Sequence, residues 1–121
     1  MERIRFIEHK GKSILLEDFS TVKPGDEFQQ TLDQAALVIR SQPPKSVLAV
    51  FDATDANFDM ESLTALGDFV KKNTPFMKYA TVVGITGLLT IALQAVERVG
   101  GRDFKVCSTR EEALDFLAGL E

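Results

Sequence analysis

Ser46-Val-Leu-Ala-Val-Phe-Asp-Ala-Thr-Asp-Ala-Asn-Phe-Asp-Met-Glu-Ser62 decides how this chain folds. The apolar run Val47 to Phe51 ends abruptly in acids and turn formers, and a helical pattern begins at once. A strand that is apolar at every position is buried on both faces, which is the habit of a parallel sheet covered by helices. Such a strand delivers its loop to the carboxyl edge of the sheet, where ligands and partners of open α/β folds usually bind.

Working outward, the same alternation recurs. Gln42-Pro43-Pro44-Lys45 stops a helix upstream, because proline cannot continue one and disfavours helical geometry in the residue before it. In that helix Phe28, Leu32, Ala35, Ala36 and Ile39 recur at helical spacing, up to about Arg40. Pro24 sits where it can begin, with Asp26 and Glu27 favourable in its first turn. Further upstream, Arg3 to His9 and Ser13 to Phe19 flank Lys10-Gly11-Lys12, which predicts a β-hairpin. His9 reads as an exposed turn residue.

Downstream, Asp59 is a good N-cap for a helix with Leu63, Leu66, Phe69 and Val70 on one face. Asn73-Thr74-Pro75 ends it. Ala80 to Gly84 predicts another buried strand, and Gly87 to Val99 an apolar helix closed by Gly100-Gly101. Phe104 to Cys107 reads as a short strand. Thr109 with Glu112 makes a capping box before Ala113, Leu114, Phe116 and Leu117. The predicted order is β-β-α-β-α-β-α-β-α. This is one α/β domain over residues 1–121, with a mixed sheet of about five strands, an N-terminal antiparallel hairpin and about four helices.

Composition narrows the function classes. Hydrophobic residues make up 45% of 121 positions, enough for one soluble core. A net charge of -4 with interspersed signs lacks the basic footprint of a nucleic-acid binder. A lone cysteine, Cys107, allows neither an internal disulfide nor a Cys-based zinc site and fits a cytoplasmic setting. Neither a signal peptide nor a transmembrane segment is expected.

The order and lengths resemble the SpoIIAA-like fold of STAS domains, closest to the stand-alone subgroup linked with the CRAL-TRIO lipid-binding fold. The resemblance rests on Ile4 to Gly11, Ser41 to Leu48, Val82 to Leu88 and Thr109 to Leu117. It implies a non-catalytic regulatory module of the anti-sigma-factor-antagonist type, and, through the CRAL-TRIO link, the alternative of a carrier or sensor for an apolar, lipid-like molecule. It also implies a phosphorylatable hydroxyl at the amino end of the helix after the central strand. This chain departs from that switch. Aligning Asp52, Asp55 and Phe58 places Met60, Glu61, Ser62 and Leu63 on the usual Asp-Ser-Ser/Thr-Gly run, so only Ser62 keeps a hydroxyl there. A phosphate would meet Asp55, Asp59 and Glu61.

Three candidate sites follow. The first is the interaction or switch loop of Asp52, Asp55, Asp59, Glu61 and Ser62. Its acids begin like a calcium loop, but Met60 stands where glycine is needed and Leu66 where a bidentate Glu is needed, so N-capping by Asp59 is the expectation and no metal is assigned. The second is the turn at Gly84, Thr86 and Gly87, whose backbone N–H groups could meet an anion or headgroup, or simply turn the chain with Thr86 as cap. The third is an apolar set, Phe69, Phe76, Met77, Leu89 and Leu93. The helix Gly87 to Val99 is apolar around more of its circumference than one packed face requires. It is expected to form a dimer face or to cover an apolar pocket. No nucleophile elbow or acid–base pair is visible, so no catalytic residue and no cofactor are assigned. The loops after the third and fourth strands are expected to meet at one edge of the sheet.

Overall fold

The computed structural model describes residues 2–120. Its elements are β1 (Ile4–His9), β2 (Lys12–Asp18), α1 (Asp26–Arg40), β3 (Val47–Asp52), α2 (Met60–Asn73), a 3₁₀ turn (Thr74–Phe76), β4 (Met77–Val83), α3 (Leu88–Gly100), β5 (Lys105–Cys107) and α4 (Arg110–Ala118). The strands form one sheet in the order β1-β2-β3-β4-β5. Only the hairpin pair β1–β2 is antiparallel. The predicted mixed five-stranded sheet with four helices is what the chain forms.

The pleat splits the core in two. Leu15, Phe19, Val47, Ala49, Ala53 and Ala80 face a layer built by α1 and α2, with Val96 of α3. Ile14, Leu16, Leu48, Val50, Val83 and Cys107 face α4 through Ala113 and Leu117. β3 contributes to both layers, which is why its sequence shows no alternation.

Several boundaries carry a physical reason. α1 begins at Asp26 rather than Pro24, because Gly25, at φ 113°, takes the cap position. α3 ends at Gly101 in the left-handed conformation. Thr109 caps α4 by accepting from the Glu112 backbone N–H at 3.1 Å. The Glu112 carboxylate reaches back to the Ser108 N–H at 3.4 Å, one residue short of a full capping box. β4 starts three residues earlier than predicted, and its register shifts at Val47/Leu48. That start sends Tyr79 to the α4 side, where its ring lies 5.4 Å from Phe116. His9 is no free turn residue, since its Nε2 lies 2.7 Å from Asp115 Oδ1 on α4. Among the described residues no helix is long and apolar enough to cross a membrane.

α3 is set apart from the other helices. It packs chiefly on α2, at a close approach that glycines permit: a Cβ on Gly67 would stand 2.7 Å from Val99 Cγ1, and one on Gly100 would stand 2.5 Å from Val70 Cγ1. Those contacts pin its carboxyl half. In its amino half Leu88 and Ile91 are 83% and 65% exposed.

Candidate functional site

The structure offers two places to look: the carboxyl edge of the sheet and the space beneath α3.

At the carboxyl edge, Asp18 and Asp52 end neighbouring strands and are register partners. Each closes the same local turn. Asp18 Oδ1 accepts from the N–H and hydroxyl of Ser20, and Asp52 Oδ1 accepts from those of Thr54. Arg110, in the first turn of α4, bridges the two carboxylates: Nε donates to Asp52 Oδ2 at 2.5 Å, and Nη2 lies 3.1 Å from Asp18 Oδ1. Burial acts to raise the Asp18 pKa, but the Ser20 hydrogen bonds and the Arg110 charge outweigh it and hold the carboxyl below its usual range. Arg3 completes the corner, donating to the backbone carbonyls of Asp18 and Ser20. Asp52 is therefore committed to an internal ion pair rather than offered to a partner.

The other residues of that loop separate. Asp55 is exposed with φ 55°, and Glu61 is exposed in the first turn of α2. Asp59 caps α2 as predicted, its Oδ1 accepting from the Ser62 N–H at 2.8 Å and the Ser62 hydroxyl at 2.7 Å. Those two bonds hold the Asp59 carboxyl below its usual pKa. Ser62 is only 4% exposed, so a phosphate there would require this cap to open. Among the described residues, no three His, Cys, Asp or Glu are grouped to hold a metal ion.

The predicted meeting of two loops does occur. Gly84, at φ 81°, lies so close to the turn after β3 that a Cβ would stand 2.5 Å from the Thr54 backbone nitrogen. Thr86, by contrast, caps nothing with its side chain. Gly87 holds the cap position of α3, and Thr86 contributes only its carbonyl, which accepts from the Leu89 N–H. Thr86 and Gly87 are both exposed.

The second place is a cavity of about 80 Å³ between α2, α3 and the sheet. It exists because the sheet carries small side chains where α3 crosses it: Ala49 and Ala80 are register partners on the helix-facing side. Leu66 and Phe69 of α2 and Leu89, Leu93 and Val96 of α3 form its walls, with Met77 of β4. Four of the five residues predicted for an apolar interface or pocket line it: Phe69, Met77, Leu89 and Leu93. Phe76 packs on the core but not on the cavity, because the 3₁₀ turn carries it past the sheet end. Leu89 and Leu93 thus face inward, and Leu88 and Ile91 hold the outer face where a dimer contact was expected.

Two charged residues line this cavity, and neither was singled out in the sequence. Glu17 of β2 is only 4% exposed. Its carboxyl makes no hydrogen bond or ion pair with any described residue, and burial alone pushes its pKa up to about 8. Arg102, on the segment between α3 and β5, has a buried Nη1 with no hydrogen-bond partner. Burial pulls the Arg102 pKa down. The two polar neighbours are satisfied: Asn73 bonds Phe69 O and Arg40, and Thr74 bonds Val70 O. One signal in the sequence could have pointed to Glu17. Ile14-Leu15-Leu16-Glu17-Asp18-Phe19 puts a carboxylate in phase with Leu15 and Phe19, on the face that must be buried.

No family model, no curated protein and no solved structure matches the chain.

Proposed function

We propose that this protein is a non-enzymatic sensor or carrier domain that binds a small, largely apolar molecule in the cavity beneath α3. The observation that carries this reading is an apolar cavity lined by the unpaired carboxyl of Glu17, 4% exposed, and by the buried, unpartnered Nη1 of Arg102. Natural interiors are close-packed, and a buried polar group without a partner costs stability, so their coincidence suits a binding site better than a core. The STAS-like element order and its link to lipid-binding folds support the same reading by analogy of fold alone. At about 80 Å³ the cavity is roughly half the size of an engineered apolar cavity that admits benzene. Larger ligands therefore need α3 to move outward, and its amino half, beyond the glycine contacts, is the part free to do so.

Native mass spectrometry of protein purified gently from its host tests this. A non-covalent mass that vanishes on denaturation is the expected result, and it should be lost in Ala80→Leu, which fills the floor. Bare wild-type protein would overturn the reading.

The exposure of Leu88 and Ile91 favours a second reading, a regulatory module whose α3 docks on a protein, a second copy of the chain included. The same spectra would then show a dimer that Ile91→Glu converts to monomer. A monomeric wild-type protein would end the self-association part of this reading.

A further inference from the structure

The polar group at the floor of the cavity narrows the ligand class, on the premise that the cavity is a binding site. Glu17 lies in register with Phe51 on the helix-facing side of the sheet, and Phe51 in turn with Val82. Its carboxyl is thus set among apolar side chains, with no cation paired to it. Arg102 is the other charged residue on the cavity wall, on the segment entering β5. Among the described residues it forms no ion pair with Glu17, and its Nη1 is buried without a hydrogen-bond partner.

This arrangement discriminates by charge. A ligand cation would have to shed its water into a low-dielectric space that already contains a guanidinium, and would gain a buried ion pair whose desolvation cost offsets its attraction. A ligand anion would likewise have to shed its water, and the buried pair it could form with Arg102 carries the same desolvation cost. An uncharged hydrogen-bonding group meets neither obstacle. A protonated carboxyl can donate its O–H and accept at its carbonyl oxygen, so a hydroxyl or an amide can satisfy both ends at once. A purely hydrocarbon ligand would leave the carboxyl as unsatisfied as it is now.

We infer that the cavity selects an uncharged ligand with an apolar body and one hydrogen-bonding group, which is held by the Glu17 carboxyl. Glu17 is then the specificity-determining residue of the site, and Arg102 excludes cations.

A set of probes with one ring and one changed group tests this: phenol, toluene, benzoate and benzylammonium, titrated at pH 7 and followed by ¹H–¹⁵N NMR of cavity-lining amides. Phenol is expected to bind about tenfold tighter than toluene, the worth of one buried hydrogen bond. In Glu17→Leu the order should reverse, because the phenol hydroxyl then loses water for nothing. The ¹³C resonance of the Glu17 carboxyl should move with phenol and not with toluene, a readout that needs no variant to fold. Toluene binding as tightly as phenol would overturn the inference and leave the cavity reading standing. So would tightest binding by benzoate or benzylammonium. Failure of all four to bind would overturn both.

Discussion

Glu17→Gln is expected to be more stable than the wild-type protein by about 3 kcal/mol at pH 7 and about 4 kcal/mol at pH 8, and nearly equal to it at pH 4. The sign follows from proton linkage. The folded-state pKa, about 8, lies above the ordinary carboxyl value of 4.5. Between those values the folded protein holds a proton that the unfolded chain has released. Stability therefore falls as pH rises through that window, by about 1.4 kcal/mol per unit, and levels off above pH 8. Glutamine keeps the shape and cannot ionise, so its stability lacks this slope. Asp18, Asp59 and Asp115, whose pKa values are lowered, act in the opposite sense. Their stabilisation is present above the ordinary aspartate value and is lost as pH falls through the lowered ones, in both proteins alike. The difference between variant and wild type thus isolates Glu17. Urea unfolding of both proteins from pH 4 to pH 9 measures it. An advantage that does not grow with pH would mean that the carboxyl ionises at an ordinary value. Among the described residues the charged groups on the cavity wall are Glu17 and Arg102 alone, so no other ionisation among them competes there. A ligand that satisfies the carboxyl should also narrow the gap, because it stabilises the native state by mass action.

Arg110→Ala is expected to lose about 3 kcal/mol. Surface ion pairs are usually worth less than a third of that, but here the carboxylates are buried: the Asp52 side chain is 6% exposed and that of Asp18 is 14%, while the Arg110 side chain that joins them is 37% exposed. Removing the guanidinium strands two carboxylates on register-paired strand ends, each largely dehydrated and each repelling the other. It also unties the first turn of α4 from the sheet, and α4 is the helix that covers Ile14, Leu16, Leu48 and Val50. Adding Asp52→Asn to Arg110→Ala should recover part of the loss, because one stranded charge is then gone and the amide can still accept from Thr54. Additive losses in the double variant would refute the account. High salt should weaken the pair only in part, since its carboxylates are buried although its guanidinium is 37% exposed.

These two residues also mark where sequence reading stopped. The alternation of elements was legible because each signal is local. Proline at 43 and 44 blocks a helix wherever the chain goes, and Asp59 and Thr109 cap with atoms only three residues away. Phe69, Leu89 and Leu93 were legible because helical periodicity exposes an excess of apolar surface, and Met77 because it stands in the same apolar stretch at the start of β4. Asp52 was found and assigned to the interaction loop, but its ion pair was not, since its partner Arg110 lies 58 positions away. His9 was misread for the same reason, with Asp115 lying 106 positions away.

Glu17 shows the boundary most clearly. Taken alone, Leu16-Glu17-Asp18 reads as a strand running out into solvent, and an acid near a strand end is ordinarily exposed. By itself the sequence determined an α/β fold, a hairpin followed by parallel strands, and an apolar helix with more surface than one packed face can use. Only the tertiary structure decided that Glu17 points under α2 and α3, that Ala49 and Ala80 meet in register to leave space there, and that Gly67 and Gly100 pin just one half of α3. Helices, strands and caps arise from contacts a few residues apart. A cavity is a mismatch of volumes among side chains brought together from three strands and three helices, and no local pattern encodes that sum.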